Sequence, residues 1–376
     1  MRYKAFKDNV NLSKLGLGAM RLPQTEPGFA KPIDVPQAQN LIDYCMAHGI
    51  NYYDTAYIYH GGKSEVVLGQ ALSKYPRRNF YVADKFNVQA NPDYRFQFED
   101  QLNRLQMEYI DFYLLHGVTD LTATDYENCG CIPYFQEQKR LGKIKYFGFS
   151  FHGTPNCLRE LLKNNTWDFV QIQLNYYDWF QGTAKEQYEI LCEHDIPIMV
   201  MEPVHGGMLA NLPKEGTSLL PNGNASPATW ALRFVMNLSG VAVVLSGMSN
   251  MEQTKENIET ASSEYDLTKT ELIQLEQVSS FLRKKIAVPC TACRYCCDNC
   301  PHGLDIPSLL SAYNDYRDDT AALGDKSMAA WRLSRLKALP KEKQPIACIG
   351  CGNCTKHCPQ ALDIPAYMQE MATMFS

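Results

Sequence analysis

The sequence predicts an α/β fold, a (β/α)8 TIM barrel, followed by a small and mostly α-helical domain. Two observations predict it. Over about 280 residues, short apolar runs alternate with amphipathic helical stretches, and the remainder of the 376-residue chain carries two similar cysteine-rich segments. We therefore expect the barrel to span residues 1–282 and the second domain to span residues 283–376.

Eight apolar runs are candidate strands, and their continuous apolar character favours parallel strands that are buried on both faces. A doubly wound sheet is the alternative, but no G-x-G-x-x-G pattern follows the first run. The runs are Leu15–Gly18, Ile50–Asp54, Phe80–Lys85, Ile110–His116, Ile144–Ser150, Phe169–Asn175, Ile198–Met201 and Val241–Leu245.

Helical stretches separate these runs. One helix is expected to begin after Asp34, with Pro36 in its first turn, where the ring costs no backbone hydrogen bond. Another carries Phe98, Leu102 and Leu105 on one face, which is the spacing of a helix that packs against a sheet.

Composition limits the classes of function. The chain is 45% hydrophobic and 20% charged, which is typical of a soluble globular protein. Its net charge of -5 argues against a nucleic-acid partner. No apolar run is long enough to span a membrane, and the N-terminus does not resemble a signal peptide. Eight of the fourteen cysteines lie in the two segments, so we expect a cytoplasmic protein with free thiols rather than disulfides.

Four side chains that can exchange protons lie at or just beyond successive strand ends, where barrel enzymes place their chemistry. Asp54, Lys85 and His116 end the second, third and fourth candidate strands, and Tyr59 follows in the loop after Asp54. Any one of them alone would be an ordinary charge or a loop tyrosine. Four together on consecutive loops indicate a catalytic site.

The chemistry of these four groups is coherent. Tyrosine has a pKa of about 10, too high for easy proton exchange at neutral pH. A nearby lysine ammonium lowers that pKa, and an aspartate keeps the lysine charged and oriented. A histidine can donate a hydrogen bond to a carbonyl oxygen of the substrate. Such a set can protonate an oxygen while hydride reaches its carbon.

The segment NYYDTAYIYHGGKSEVVLGQAL (residues 51–72) resembles the aldo-keto reductase signature D-T-A-x-x-Y-G-x-x-S-E-x-x-L-G. YIDFYLLH (109–116) and GKIKYFGFS (142–150) are similar to two further family segments. The resemblance implies a barrel, an NADH or NADPH cofactor, and a catalytic tetrad of Asp54, Tyr59, Lys85 and His116 in which Tyr59 is the general acid or base. His60 departs from the family, which often has glycine there.

The resemblance also implies contacts with the nicotinamide. Ser150 and Gln171 match residues that hold its carboxamide, and Asn175 is expected near the same strand end. Many family members stack an aromatic ring on the nicotinamide from the seventh strand. Met201 stands there instead, and its thioether can cover an aromatic face through the sulfur.

The segment GMSNMEQTKENI resembles the loop that holds the adenine dinucleotide in this family. Glu256 and Asn257 match its adenine contacts. Gly247 and Gln253 stand where many members have cations that bind a 2′-phosphate. The resemblance therefore favours binding of NADH at least as strong as that of NADPH.

The two cysteine segments, CTACRYCCDNCP and CIGCGNCTKHCP, share the spacing C-x2-C-x2-C-x3-C-P and are followed by the same L-D-I-P. This spacing is typical of [4Fe–4S] clusters, two of which are expected here. A pair of zinc sites is the alternative, but zinc does not explain the third x2 step or the proline. Cys297 and five further cysteines are expected to be packed thiols: Cys45, Cys129, Cys131, Cys157 and Cys192.

The tail resembles an α-helical ferredoxin module with two clusters, and residues Ser308–Leu339 between the segments are predicted to be helical. In two-cluster ferredoxins the fourth cysteine of each run binds the other cluster. The resemblance thus implies one cluster on Cys290, Cys293, Cys296 and Cys358, and a second on Cys348, Cys351, Cys354 and Cys300.

The sequence thus indicates an oxidoreductase that interconverts carbonyls and alcohols, with clusters for electron transfer. Hydride carries two electrons and a cluster carries one, so a flavin could be needed between them, although no flavin motif is present. Two alternatives remain: an electron-transfer protein with a flavin or a redox partner protein at the barrel, and a non-catalytic redox sensor with structural clusters. Candidate residues around the small-molecule substrate are Arg21, Tyr57, Phe86, His152, Trp179 and Glu202.

Overall fold

The computed structural model describes residues 1–26, 31–120, 122–221, 223, 225–323, 336–337 and 339–374. The chain forms two compact units. The first unit comprises Met1–Val204 and Asn222–Leu272, and the second comprises His205–Pro221 and Ile273–Ser376.

A hairpin precedes the barrel of the first unit. Its strands β1 (Tyr3–Ala5) and β2 (Asn11–Ser13) are antiparallel, and the sequence analysis did not predict them. Eight parallel strands then close into a barrel in which β10 pairs with β3, so the predicted (β/α)8 architecture is confirmed. The barrel strands are β3 (Leu15–Gly18), β4 (Tyr52–Asp54), β5 (Tyr81–Phe86), β6 (Ile110–Val118), β7 (Ile144–Phe151), β8 (Phe169–Gln173), β9 (Ile198–Met201) and β10 (Val241–Ser246).

Helices connect and follow the strands. The α-helices are α1 (Val35–Ala47), α2 (Lys63–Leu72), α3 (Tyr94–Leu105), α4 (Ala123–Asn128), α5 (Cys131–Arg140), α6 (Pro155–Asn164), α7 (Tyr176–Gln181), α8 (Ala184–Glu193), α9 (Lys214–Thr217), α10 (Pro227–Met236), α11 (Met251–Ser262), α12 (Lys269–Lys285), α13 (Tyr295–Asp298), α14 (Ile306–Leu323), α15 (Asn353–Lys356) and α16 (Ile364–Thr373). Short 3₁₀ helices occur at Lys7–Asn9, Ala19–Arg21, Tyr59–Gly62, Arg77–Asn79, His205–Ala210, Lys341–Lys343 and Pro345–Ala347.

Helices α1 and α3 have the N-terminal cap and the buried apolar face that the sequence predicted for them. Asp34 caps α1 by accepting a hydrogen bond of 3.0 Å from the backbone N–H of Gln37, and a proline stands in the first turn. On α3, Phe98, Leu102 and Leu105 are buried. Both predictions are therefore confirmed.

The carboxyl end of β8 was predicted two residues too far along the chain. β8 ends at Gln173, whereas the apolar pattern extended it to Asn175. Asn175 instead caps α7, because its side chain accepts a hydrogen bond of 2.9 Å from the backbone N–H of Asp178. The other predicted strand limits differ from the structure by no more than two residues, which is the usual uncertainty at element ends.

The end of the barrel at which the strands begin is filled by aromatic rings. Phe6, from the turn between β1 and β2, packs edge to face on Phe112 and Tyr146, with ring centres 5.4 and 5.0 Å apart. Tyr52 and Phe169 belong to the same cluster. This end is therefore a packed core, and the opposite end, at the carboxyl ends of the strands, is left for a site.

In the second unit, the described residues are mostly helical and repeat their own structure. Each cysteine segment forms a short helix, α13 or α15, and these two helices contact each other. A longer helix, α14 or α16, follows each of them. The L-D-I-P residues supply equivalent core side chains to the two copies: Leu304 and Ile306, and Leu362 and Ile364.

Helix α14 confirms the first part of the predicted helical region between the cysteine segments. Residues 324–335 and 338 of that region lie outside the described residues. Within the described part of the chain, no helix combines the length and the apolar character that crossing a membrane requires.

Candidate functional site

Four side chains meet at the carboxyl ends of neighbouring barrel strands. Asp54 is the last residue of β4, and Tyr59 begins the 3₁₀ helix that follows it. Lys85 and His116 lie one and two residues before the ends of β5 and β6, so these strands extend slightly beyond the predicted limits. All four side chains are buried, and Tyr59, at 8% exposure, is the most accessible.

Lys85 is the centre of this group. Its Nζ donates hydrogen bonds of 2.6 Å to Asp54 Oδ1 and 2.6 Å to the backbone oxygen of Thr55. The same nitrogen lies 5.0 Å from the centre of the Tyr59 ring. Burial raises the pKa of Asp54, while the charge of Lys85 and its hydrogen bond oppose that rise. A lysine enclosed in this way is held beside Tyr59 in one position.

His116 faces Tyr59 from the next strand. The two rings meet edge to face, with centres 5.8 Å apart. Burial, and then the charge of Lys85, hold the pKa of His116 well below its usual value. The imidazole is therefore neutral at physiological pH. It can donate one ring N–H to an oxygen, but it is poorly suited to carry a proton as a cation.

A buried polar network that was not predicted from the sequence contacts the backbone of Lys85. Gln101 Nε2 donates hydrogen bonds of 3.1 Å to Glu65 Oε1 and to the backbone oxygen of Lys85. Arg104 donates to the other oxygen of Glu65 at 2.8 Å. Burial, and then the charge of Glu65, raise the pKa of Asp84 well above its usual value. The only sequence signal was Glu65, within the resemblance to the family.

The residues expected around the nicotinamide lie on the next strands. Ser150 Oγ, on β7, accepts a hydrogen bond of 2.7 Å from the backbone N–H of Gly117. Gln171 Nε2, on β8, lies 3.5 Å from the sulfur of Met201, which ends β9. Gln171 Oε1 is buried and has no hydrogen-bond partner among the described residues. A buried acceptor without a partner fits the N–H group of a carboxamide.

The residues expected around the dinucleotide lie at the end of β10 and the start of α11. Asn257 donates to Ser246 Oγ at 3.0 Å, and Glu256 accepts a hydrogen bond of 3.4 Å from Thr229. Gln253 Oε1 accepts one of 2.9 Å from the backbone N–H of Ser249. No cation stands at either of the two positions 247 and 253.

Gly247 is required for a reason that the sequence did not reveal. A Cβ atom at this position would lie 2.7 Å from Cγ and 2.8 Å from Cβ of Arg21. The stem of Arg21 therefore packs against the backbone of Gly247, where a larger residue would displace it.

His60 stands where the family often has glycine, and the backbone conformation at this position explains why glycine is common there. Its φ of 52° lies in the left-handed region, which glycine adopts at no steric cost. His60 adopts it nevertheless, and hydrogen bonds with the backbone of Met20 and Ala19 accompany that conformation.

The first cysteine segment brings four of its thiols close together. The pKa of Cys296 is raised, first by its hydrogen bond with Cys297, then by burial and by the charges of Cys293 and Cys290. Cys297 thus contacts a predicted ligand, although it lies outside the repeated pattern. None of the fourteen cysteines forms a disulfide. In the part of the chain that the structure describes, no three histidine, cysteine or acidic side chains are placed to hold a single metal ion.

A pocket lies beside the second segment. Its lining includes the three leading cysteines of that segment and the last cysteine of the first segment: Cys348, Cys351, Cys354 and Cys300. The remaining wall is mostly apolar, with Leu304, Ile306, Ile364 and Met368. Four thiols around one apolar pocket fit the ligand set of a [4Fe–4S] cluster.

The backbone of the two segments repeats as well. Ala292 and Arg294 have φ of 52° and 71°, and the equivalent Gly350 and Gly352 have φ of 68° and 74°. Equivalent backbone hydrogen bonds end at Cys300 and Cys358, from the N–H groups of Gly303 and Ala361 respectively. Two different sequences thus adopt one loop conformation. A positive φ favours glycine, yet the first segment has alanine and arginine at these two positions. The conformation is therefore set by the fold rather than by local preference.

A closed barrel with a buried ion pair, a tyrosine and a histidine at its mouth is typical of a barrel oxidoreductase, here joined to a cysteine-rich domain. The chain belongs to the aldo/keto reductase family, whose model matches residues 14–280. A model of the 4Fe-4S dicluster domain matches residues 289–362. The predicted fusion of the two is confirmed.

Among curated relatives, an uncharacterized oxidoreductase of Bacillus subtilis, YqkF, is 27% identical over 303 residues, covering 71% of this chain and 93% of that protein. The NADH-specific methylglyoxal reductase of Escherichia coli is 24% identical over 309 residues, covering 66% and 90%. Among solved structures, the holo form of the aldo-keto reductase AKR11C1 from Bacillus halodurans has a TM-score of 0.63 and 26% identity, covering 74% of this chain and 96% of that one.

Proposed function

We propose that the protein interconverts a small carbonyl compound and its alcohol with NADH or NADPH, and that Tyr59 is the general acid for reduction and the general base for oxidation. The observation that carries this proposal is the position of Lys85. Its ammonium lies between a carboxylate 2.6 Å away and the ring of Tyr59, whose centre is 5.0 Å away. A fixed cation beside a phenol favours the tyrosinate and so eases proton transfer.

Each residue of the group has its own task. Asp54 holds the ammonium of Lys85 in place through a hydrogen bond of 2.6 Å. Neutral His116 donates a ring N–H to the carbonyl oxygen and orients it towards Tyr59. Tyr59 then delivers the proton to that oxygen, and the reverse transfer accompanies oxidation of the alcohol. The low exposure of all four residues excludes water and strengthens these interactions.

The nicotinamide supplies the hydride when it is bound. Ser150 and Gln171 would hold its carboxamide, and Met201 would contact its ring. Gln253, Glu256, Asn257 and the backbone at Gly247 would hold the adenine end. Because positions 247 and 253 carry no cation, a 2′-phosphate gains little there, and we expect NADH to bind at least as tightly as NADPH. The relative named as an NADH-specific reductase is consistent with this preference.

The second domain would hold two [4Fe–4S] clusters with crossed ligands. The pocket that Cys300 shares with the second segment supports this wiring. The clusters supply one-electron steps, so the domain would exchange electrons with a redox partner protein or with a flavin that this chain does not mark by a motif. An electron-transfer protein and a non-catalytic sensor are the alternatives, but neither explains why four proton-handling groups are assembled at the barrel mouth.

The test uses protein purified without oxygen, with its clusters in place. NADH and NADPH are titrated, and oxidation of each is followed with a panel of small aldehydes and ketones. We expect turnover that depends on the carbonyl, and a dissociation constant for NADH no larger than that for NADPH. Nicotinamide binding without turnover on any carbonyl would favour the sensor. The visible spectrum of the same sample reports the clusters and any flavin, and a bound flavin would favour the electron-transfer protein.

A further inference from the structure

His152 stands at the mouth of the barrel without a role in the chemistry described above. It follows β7 directly and, two residues beyond Ser150, lies on the same face of the strand. Its backbone N–H donates a hydrogen bond of 2.8 Å to the oxygen of Val118, the last residue of β6. β6, which carries His116, pairs in parallel with β7, and Val118 lies opposite Phe151. The two histidines therefore lie near the carboxyl ends of adjacent strands.

Gln173 and Asp178 fix the orientation of the His152 ring. Gln173 Nε2 donates a hydrogen bond of 2.8 Å to Asp178 Oδ2, which also accepts one of 2.6 Å from Asn175. An ionised carboxylate only accepts hydrogen bonds, so the amide nitrogen of Gln173 must face Asp178. Its carbonyl oxygen is left to face the imidazole, with which Gln173 forms a hydrogen bond.

This arrangement selects one tautomer of His152. The oxygen of Gln173 must receive an N–H, and Nδ1 has no hydrogen-bond partner among the described residues, so the donor is Nε2. Burial lowers the pKa of His152 to about 4, and the ring is therefore neutral near pH 7. Nδ1 then carries a lone pair. It is a buried acceptor in a fixed position, and such an atom is costly unless a donor meets it.

We propose that Nδ1 of His152 accepts a hydrogen bond from a hydroxyl group of the substrate, so that the enzyme selects carbonyl compounds with a hydroxyl one or two carbons from the carbonyl. The inference rests on the proposed function, because His116 is taken to bind the carbonyl oxygen. Neighbouring strands lie about 4.8 Å apart, a separation that a carbonyl oxygen and a nearby hydroxyl can span. His152 is a binding residue, and Gln173 positions it.

The test compares two ketones of the same size, hydroxyacetone and butanone, which differ by one hydroxyl in place of a methyl. His152→Phe keeps a ring but removes the acceptor. We expect it to lower kcat/KM for hydroxyacetone about tenfold, mainly through KM, as the loss of one buried hydrogen bond would. Butanone, which has no hydroxyl for Nδ1 to bind, should lose much less. Gln173→Leu should cause a smaller loss in the same direction, because the tautomer is no longer fixed.

His194→Phe is the matched control. Nδ1 of His194 donates a hydrogen bond of 2.9 Å to the backbone oxygen of Ile190, at the end of α8 and away from the barrel mouth, so neither ketone should be affected. An equal loss for both ketones in His152→Phe would mean that His152 only shapes the site. Unchanged kinetics for hydroxyacetone would mean that no substrate hydroxyl reaches Nδ1. Either result overturns the proposal.

Binding separates this proposal from the proposed function. Propane-1,2-diol and butan-2-ol are titrated by calorimetry into the holoprotein with NAD⁺. If the wild type reduces neither ketone, carbonyl reduction fails as the function, but a preference for the diol that His152→Phe removes would still support a hydroxyl site. Equal affinities for the two alcohols in the wild type would overturn the hydroxyl site even when both ketones are reduced.

Discussion

The ammonium of Lys85 lies 5.0 Å from the centre of the Tyr59 ring, while its hydrogens are directed at Asp54 and at a backbone oxygen. The lysine thus acts on the phenol as a fixed positive charge. It is held by groups that do not take part in proton transfer, so its position does not depend on a bound substrate. This relationship determines what each substitution in the group should do.

Tyr59→Phe should remove the proton donor and leave the rest of the site in place. We expect kcat for carbonyl reduction to fall roughly 10²–10⁴-fold, the usual contribution of a positioned acid or base. Binding of NADH, measured by fluorescence titration, should change little. Tyr75→Phe is the control, because that hydroxyl donates to Asp43 outside the site. Full turnover in Tyr59→Phe would exclude Tyr59 as the acid.

Asp54→Asn should destabilise the barrel as well as inactivate it. The substitution keeps the shape but leaves the fully buried Lys85 without its carboxylate, and an unpaired buried charge typically costs about 3–5 kcal/mol. Glu99→Gln provides the contrast. Glu99 pairs with Lys143 at 2.8 Å on the surface, where loss of a pair costs about 0–1 kcal/mol. Unfolding in urea, followed by circular dichroism, compares the two. Equal losses would mean that the buried pair contributes no more to stability than the surface pair.

The barrel could be predicted from sequence because its strands are buried on both faces and read as continuous apolar runs. β8 shows the limit of that pattern. Asn175 follows the run but uses its side chain to cap α7, and an apolar pattern does not detect a cap. The hairpin β1–β2 was missed because its strands are only three residues long.

The site was also predicted only in part. The family pattern identified Asp54, Tyr59, Lys85 and His116, which the structure brings together, although their roles remain predictions. The same pattern could not show the acceptor on His152 or the contact between Arg21 and Gly247. Both depend on partners distant in sequence, whose side chains meet only after the barrel closes.

His152 should make stability depend on pH. Its pKa falls from an unfolded value near 6.5 to about 4 in the folded state, so the unfolded chain binds the proton more readily. The contribution is fully present above pH 6.5 and is lost as pH falls towards 4, by at most about 3 kcal/mol. Urea unfolding of wild type and His152→Phe at pH 7 and pH 4.5 measures it. The decline should be smaller in the variant, even though His116 titrates in the same direction. Parallel declines would contradict the prediction.

Cys300→Ala should damage the cluster of the other segment. Cys300 shares a pocket with Cys348, Cys351 and Cys354, so its loss should leave that cluster one thiolate short. Cys358→Ala should likewise damage the cluster on Cys290. Iron content and electron paramagnetic resonance of the reduced protein distinguish the two clusters. Cys297→Ala is the control and should retain both clusters. Damage to the cluster of the mutated segment alone would show that the ligands are not crossed.

Gly206→Ala should disturb the first cysteine segment. Gly206 lies in the second unit at φ 66°, and a Cβ there would stand 2.0 Å from the backbone oxygen of Thr291, between Cys290 and Cys293. A backbone atom cannot rotate away, so the segment must move. Because metal-binding energy in such a domain is also folding energy, we expect less iron per chain and faster loss of iron to a chelator.

Gly303→Ala is the matched control for that substitution. Gly303 also has a positive φ, 56°, so alanine there carries a similar backbone strain of about 1 kcal/mol. Among the described residues, its new Cβ would meet only Nζ of Lys343, at 3.1 Å, which is a side-chain atom and not backbone, and the equivalent residue of the other copy is already Ala361, with φ 50°. Gly303→Ala should therefore keep the iron content and chelation rate of the wild type. Equal losses in the two variants would show that backbone strain, rather than the contact of Gly206 with Thr291, limits the first segment.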